Sequence, residues 1–221
     1  MSSQTLYRWS GFALIVGSLI GILGTILDTI LYPGHDLTAQ QALSTQFAID
    51  ATLFLVWSVL LVMGLPGPYL RQATRTGALG FAGFVLLSLA LLLGGVAFGV
   101  VQITDWPYLA QSAPKLLPSG GTGPTLGFLL WILGPGLLLG LGSILLGIAT
   151  LRAKVFTRWI GILLIVAGVL FLVSLAPIPF IDLVTNLAFF VAFAWFGYAL
   201  VSQRKEQVQA PFATAEAQVS R

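Results

Sequence analysis

Residues Trp9 to Leu31 read WSGFALIVGSLIGILGTILDTIL, and a single charged residue, Asp28, interrupts the run. A helix rises about 1.5 Å per residue, and a hydrocarbon core is about 30 Å thick, so roughly 20 apolar residues cross it. The run is too long for the apolar stretch of a secretory leader, which holds about 7–15 residues, and no small-residue cleavage site follows it. It leads through Asp28 into Tyr32-Pro33-Gly34, which reads as an exit turn, so a retained spanning helix is expected.

Five more stretches meet the same criterion: residues 46–69, 77–101, 126–151, 159–175 and 181–201. The expected fold is therefore all-α, a polytopic membrane bundle of six transmembrane helices (9–31 and these five) filling residues 1–202. The polar residues 203–221 are expected as a disordered cytoplasmic tail. Composition points the same way. Of 221 residues, 57% are hydrophobic and 8% charged, where soluble domains carry about 25% charged residues. Apolar surface in that excess has to face lipid, which makes the bilayer the first expected partner.

The formal net charge of +3 does not indicate nucleic acid, because the basic residues are scattered between apolar runs and form no stripe. Their scatter is informative in another way. With the N-terminus inside, nine of the ten basic residues, from Arg8 to Arg221, fall on the cytoplasmic side and only Lys115 falls outside. That bias predicts a multi-pass protein of the cell membrane with both termini cytoplasmic. Acids show the opposite distribution: Asp28, Asp36, Asp50, Asp105 and Asp182 all fall near the outer end.

The chain has no cysteine, which excludes disulfides, thiolate catalysis and Cys-ligated metals. Its one histidine, His35, lies in an outer loop, and both glutamates, Glu206 and Glu216, lie in the tail. No cofactor fingerprint is present, and metal hydrolysis has only aspartates to draw on.

The first and fifth helices open alike. Arg8-Trp9-Ser10-Gly11 matches Arg158-Trp159-Ile160-Gly161, and Leu14-Ile15-Val16 matches Leu164-Ile165-Val166. Ile49-Asp50 and Ile181-Asp182 open the second and sixth, so a parallel repeat of helical hairpins is one reading and convergence on common interface anchors is the other. Small-residue pairs at packing distance recur, as Gly17/Gly21, Gly95/Gly99 and Gly136/Gly140. Pro135, between two glycines, lacks an N–H and is expected to kink the fourth helix.

Asp28, Asp50 and Asp182 each lie within a turn or two of the outer surface, with Thr25 and Asn186 one turn from an aspartate. A carboxylate inside the hydrocarbon is unfavourable by about 2.5–3.5 kcal/mol, so such residues usually face the bundle interior or a wet cavity. Convergence of the three would make an outward-facing acidic vestibule, suited to a cation or an amine-bearing ligand. Asp50 and Asp182 also suit first-turn positions, where the macrodipole favours a negative charge by about 0.3–1 kcal/mol. Asp28 has no such explanation, since it lies near a helix C-terminus among Ile26, Leu27, Ile30 and Leu31.

The stretch Leu141-Gly142-Ser143-Ile144-Leu145-Leu146-Gly147, then Leu151-Arg152 and Arg158-Trp159-Ile160-Gly161-Ile162-Leu163-Leu164, resembles small six-helix bacterial integral membrane proteins of unknown function. The resemblance covers the C-terminal third and the helix plan. It implies an architecture and no mechanism, and no functional residues carry over.

Function on the sequence alone reduces to a non-enzymatic membrane protein that binds a small molecule, lipid or partner, or alternatively a proton- or cation-coupled carrier built on the aspartates. Against a carrier, no charged residue falls at mid-membrane, where coupling sites usually lie. Against an enzyme, no serine sits in a nucleophile elbow and only His35 offers an imidazole. Ligand identity and oligomeric state are not legible.

Overall fold

The computed structural model describes residues 3–32, 37–117, 126–174 and 181–202. Among them every regular element is helical: α1 Ser3–Leu31, α2 Ala39–Ala42, α3 Thr45–Gly64, α4 Pro66–Ala90, a π-helical turn Leu91–Ala97, α5 Phe98–Ser112, a 3-10 turn Pro114–Leu116, α6 Leu126–Ala153, α7 Arg158–Val173 and α8 Ile181–Ser202. Four helical runs are long and apolar enough to cross a membrane: Gln4–Leu31, Thr45–Ser112, Leu133–Ala153 and Ile181–Ser202. Arg158–Val173 is apolar but shorter, at 16 residues.

The run Thr45–Ser112 covers two of the expected segments, and their boundaries move. The expected stretch 46–69 is cut at Gly64, and α4 begins at Pro66, where the missing N–H suits a first helical turn. Arg71 and Arg75 therefore lie on helix, not in a loop. The chain breaks at Gly77, where the expected stretch 77–101 begins; its φ of 56° and ψ of −150° are accessible to glycine and strained for any other residue. The expected end at Val101 is passed, and helix continues through Pro107 to Ser112. The Pro33-Gly34 turn, His35, Asp36, residues 118–125 and 175–180, and the tail 203–221 lie outside the described residues.

Helices α1, α8, α7, α6, α4–α5 and α3 follow one another around a ring. Ring-to-ring contacts give the register of α3 against α5: Phe47 stacks on Trp106 at 5.8 Å and Phe54 meets Phe98 at 6.0 Å, so the two run antiparallel. At one end, the Arg71 guanidinium lies 5.9 Å from both the Tyr7 and Phe156 rings, which brings together the start of α1, the start of α4 and the α6–α7 turn. Arg8, Arg71, Arg152 and Arg158 thus share a basic end. Asp28, Tyr32 and Asp50 mark the opposite, acidic end, where Leu37, Phe47, Ala110 and Leu117 form a small apolar cap.

Exposure is inverted relative to a water-soluble bundle. Phe12, Val16, Leu19, Leu23, Ile26 and Ile30 form an exposed stripe along α1, with Leu19 at 59%. Buried positions meanwhile include Ser10, Ser18, Ser58, Ser143 and Thr150. The helices meet on glycine. A Cβ on Gly147 would lie 2.7 Å from the Gly161 carbonyl oxygen, and one on Gly197 would lie 2.5 Å from that of Gly11. The small-residue pairs read from the sequence have distinct partners: Gly17 meets α3, Gly21 meets Phe190, Gly95 meets Ser58 and Gly99 meets Leu55.

The α1/α7 likeness holds in three dimensions. α7 buries Ile160, Gly161, Leu164, Ala167 and Gly168; α1 buries Ser10, Gly11, Leu14, Gly17 and Ser18 at the same offset. The partner helix corresponds as well, but it is α6 that matches α8, since Gly147 of α6 crosses α7 as Gly197 of α8 crosses α1. The repeated unit seen here is an antiparallel pair, α6 with α7 and α8 with α1.

Candidate functional site

Local capping sets the position of Asp50. The Ser44 hydroxyl accepts the Phe47 N–H at 3.2 Å and so starts α3. Just before it, Thr38 and Gln41 form a reciprocal capping box on α2. From that start, Phe47, Asp50, Phe54 and Trp57 recur at three- and four-residue spacing and face the ring interior.

There they line a polar chamber of about 380 Å³ near the acidic end. Thr25 and Asp28 enter from α1, Gln102 and Trp106 from α5, and Asn186 from α8. Four of the five candidates read from the sequence, Thr25, Asp28, Asp50 and Asn186, thus share one chamber. Asp28 and Asp50 lie close enough to act on each other electrostatically. The fifth, Asp182, is one turn beyond Asn186 on α8 and is not part of the lining.

Tyr32 closes the chamber at the end of α1. It is 8% exposed, and its hydroxyl is buried without a hydrogen-bond partner among the described residues. The neighbouring Ser44 hydroxyl donates to the Gln41 carbonyl at 2.6 Å and accepts the Phe47 N–H, and it lies near enough to the phenol to influence it without meeting hydrogen-bond geometry. Burial raises the Tyr32 phenol above its ordinary value, Ser44 opposes the rise, and the Asp50 and Asp28 charges add to it. The phenol is therefore a neutral group that can both donate and accept. The Gln102 amide oxygen is a second buried acceptor without a partner among the described residues.

Deeper in the ring a second chamber of about 280 Å³ adjoins the first, and Phe54, Trp57, Phe98 and Asn186 line both. Its walls are otherwise apolar, with Leu91, Leu139, Phe171 and Phe189 around it. Pro135 belongs to this wall. α6 is helical on both sides of it, and its ring packs against Gly94, where a Cβ would lie 2.6 Å from the Pro135 Cβ. The π-helical turn Leu91–Ala97 supplies Leu91, Gly94 and Gly95 to the lining. Such turns widen a helix locally and are frequent at functional sites.

Toward the basic end the ring is filled. Leu14, Leu61, Leu87, Leu146, Leu164 and Phe193 are all buried. Among the described residues, no group of three or more His, Cys, Asp or Glu gathers in a way that would hold a metal ion.

Protein-family models, curated proteins and solved structures were all compared with the chain. None matches it. The site therefore has to be read from its own geometry. Its least legible part was aromatic: Phe47, Phe54, Trp57, Phe98 and Trp106 sit in apolar runs, where ring side chains facing lipid and ring side chains facing a cavity look the same. The only sequence signal available was the spacing of Phe47, Phe54 and Trp57 on the Asp50 face of one helix.

Proposed function

We propose that this chain is a six-span protein of the cell membrane, with both termini cytoplasmic, that binds a small molecule non-enzymatically between its helices. The observation that carries the reading is the pair of adjoining chambers, capped by Tyr32 and a small apolar cluster at the acidic end and backed by close-packed side chains toward the basic end. A cavity backed by a packed layer is what a binder needs; a carrier would require a path through Leu14, Leu61, Leu87 and Phe193. The six-span reading counts α3 and α4–α5 as separate passes and adds α7. Exposed apolar stripes on α1 and α7 support it, because water would oppose that exposure and lipid would not. The helix plan of small six-helix bacterial membrane proteins is consistent with it.

Two measurements test this. The chain has no cysteine, so single cysteines can be placed without a background. Ser112→Cys should react with a membrane-impermeant maleimide in intact cells, and Arg75→Cys and Lys154→Cys only after permeabilisation. Labelling of all three from outside would overturn the topology. For binding, native mass spectrometry of the full chain released from nanodiscs should show a bound small molecule, and Leu139→Trp, which fills the deeper chamber, should abolish that peak. A bare protein mass, unchanged by Leu139→Trp, would remove the binding reading.

A further inference from the structure

Resting on the reading of these chambers as a ligand site, we propose that the ligand is an organic amine in its protonated form carrying one apolar or aromatic tail. Its ammonium group sits in the polar chamber, and its tail extends into the apolar one.

The polar lining is rich in acceptors and negative charge. Asp28 and Asp50 bring two carboxylates, and no lysine or arginine of the described residues lines the chamber. The buried Gln102 amide oxygen and Tyr32 hydroxyl have no hydrogen-bond partner among the described residues. A buried acceptor left unmade is unfavourable, so the occupant that relieves this lining donates hydrogen bonds and is positive. A protonated amine does both. An anion does neither.

The aromatic rings define where the rest of the molecule goes. Phe47 stacks on Trp106, Trp106 meets Phe98 edge to face at 5.5 Å, Phe98 meets Phe54, and Phe54 meets Trp57 at 5.0 Å. This unbroken series of rings runs from the carboxylates to the apolar chamber. Ring faces near the carboxylates attract a cation. Rings farther in, with Leu91, Leu139 and Phe189, offer only apolar surface. The chambers are of the size of small-ligand cavities, roughly 300–1,000 Å³. A bare metal cation fits poorly: calcium takes 6–8 oxygen ligands, and the aromatic wall and deeper chamber would contribute nothing to it. A zwitterionic lipid would bring its phosphate against two carboxylates, so a free amine is favoured over a headgroup amine.

The test uses the full chain in phosphatidylcholine nanodiscs and isothermal titration with 4-phenylbutylamine, its neutral counterpart 4-phenylbutanol, and methylamine as a head-only probe. The amine should bind at least tenfold tighter than the alcohol and than methylamine. Asp50→Asn should weaken the amine at least tenfold and leave the alcohol unchanged, and Asp50→Glu, which keeps the charge, should recover most of the loss. Gln102→Leu guards against misfolding of the aspartate variant and should weaken the amine severalfold. Replacing phosphatidylcholine by phosphatidylethanolamine should not compete; competition would reassign the site to a lipid headgroup and overturn the free-amine assignment. Equal binding of amine and alcohol, both lost in Leu139→Trp, would overturn the amine assignment and leave the cavity reading standing. No amine binding at all would also overturn it, and with a bare protein mass by native mass spectrometry both readings would fall.

Discussion

The α6–α7 pair and the α8–α1 pair begin with the same crossing and end differently. At the basic end both meet glycine to glycine, and each places the same branched residue beside the contact: Ile165 against Gly147, Ile15 against Gly197. Farther along, α6 and α7 meet again at Gly140 and Gly168, where a Cβ on Gly168 would lie 2.6 Å from the Gly140 carbonyl oxygen. At the corresponding level of the other pair stand Phe190 and Ser18. The Phe190 ring lies against Gly21 of α1 and edge to face with Trp57 of α3 at 5.0 Å. One pair therefore meets on glycine at both levels, while the other carries a ring packed against Gly21 at the second. The polar chamber draws Asp28 from α1 and Asn186 from α8. The cavity lies beside the pair in which a ring replaces the second glycine crossing.

The comparison breaks most sharply at that ring. Phe190 is 1% exposed, and truncating a buried phenylalanine typically destabilises by about 3–5 kcal/mol. Phe190→Ala should approach that loss, measured by reversible unfolding in mixed micelles. It should also free the Trp57 ring and weaken amine binding. If stability fell but binding did not change, the ring would be core filling and nothing more.

Next come the shared crossings. Gly147→Ala and Gly197→Ala each force a methyl against a backbone carbonyl on the partner helix, and neither backbone has room to yield without separating the pair. Overpacking of this kind typically destabilises by about 1–3 kcal/mol. The two substitutions should be alike in size, since their surroundings match atom for atom. A large disparity would show that the pairs are equivalent in sequence register but not in energetics.

The sequence reveals this plan unevenly, for physical reasons. Long apolar runs announce helices that need no water, so α1, α6 and α8 were legible, as was the gathering of Asp28 and Asp50 at one end. The Arg8-Trp9 and Arg158-Trp159 starts also revealed the α1/α7 likeness. The match of α8 to α6 stayed hidden because few letters besides Gly147/Gly197 and Ala149/Ala199 agree at that offset, and Phe190 stands where α6 has Gly140. Asp182 read like Asp50 by type and depth, yet it begins its helix a turn beyond the chamber. The boundary at Gly77 was legible as the start of the expected stretch 77–101, but the helix that precedes it from Pro66 and the π turn were not, because glycine is common in such chains and backbone angles are not written in its neighbours.

The finest contrast is one of sign. Gly168 and Ser18 occupy equivalent places on α7 and α1, so the same methyl side chain can be placed at both. At Gly168 it meets the Gly140 carbonyl and the Ile144 side chain at 2.6 and 2.8 Å, and Gly168→Ala should destabilise by about 1–3 kcal/mol. At Ser18 the side chain is already accommodated, and its hydroxyl is buried without a partner in the described structure. Removing an unsatisfied buried hydroxyl relieves a penalty of about 1–3 kcal/mol, less whatever packing the oxygen contributes. Ser18→Ala should therefore be neutral or mildly stabilising, in the same unfolding assay that shows Gly168→Ala to be a loss. Were both substitutions to destabilise equally, the Ser18 hydroxyl would have to be bonded, and the α8–α1 pair would be held by a polar clasp at that level.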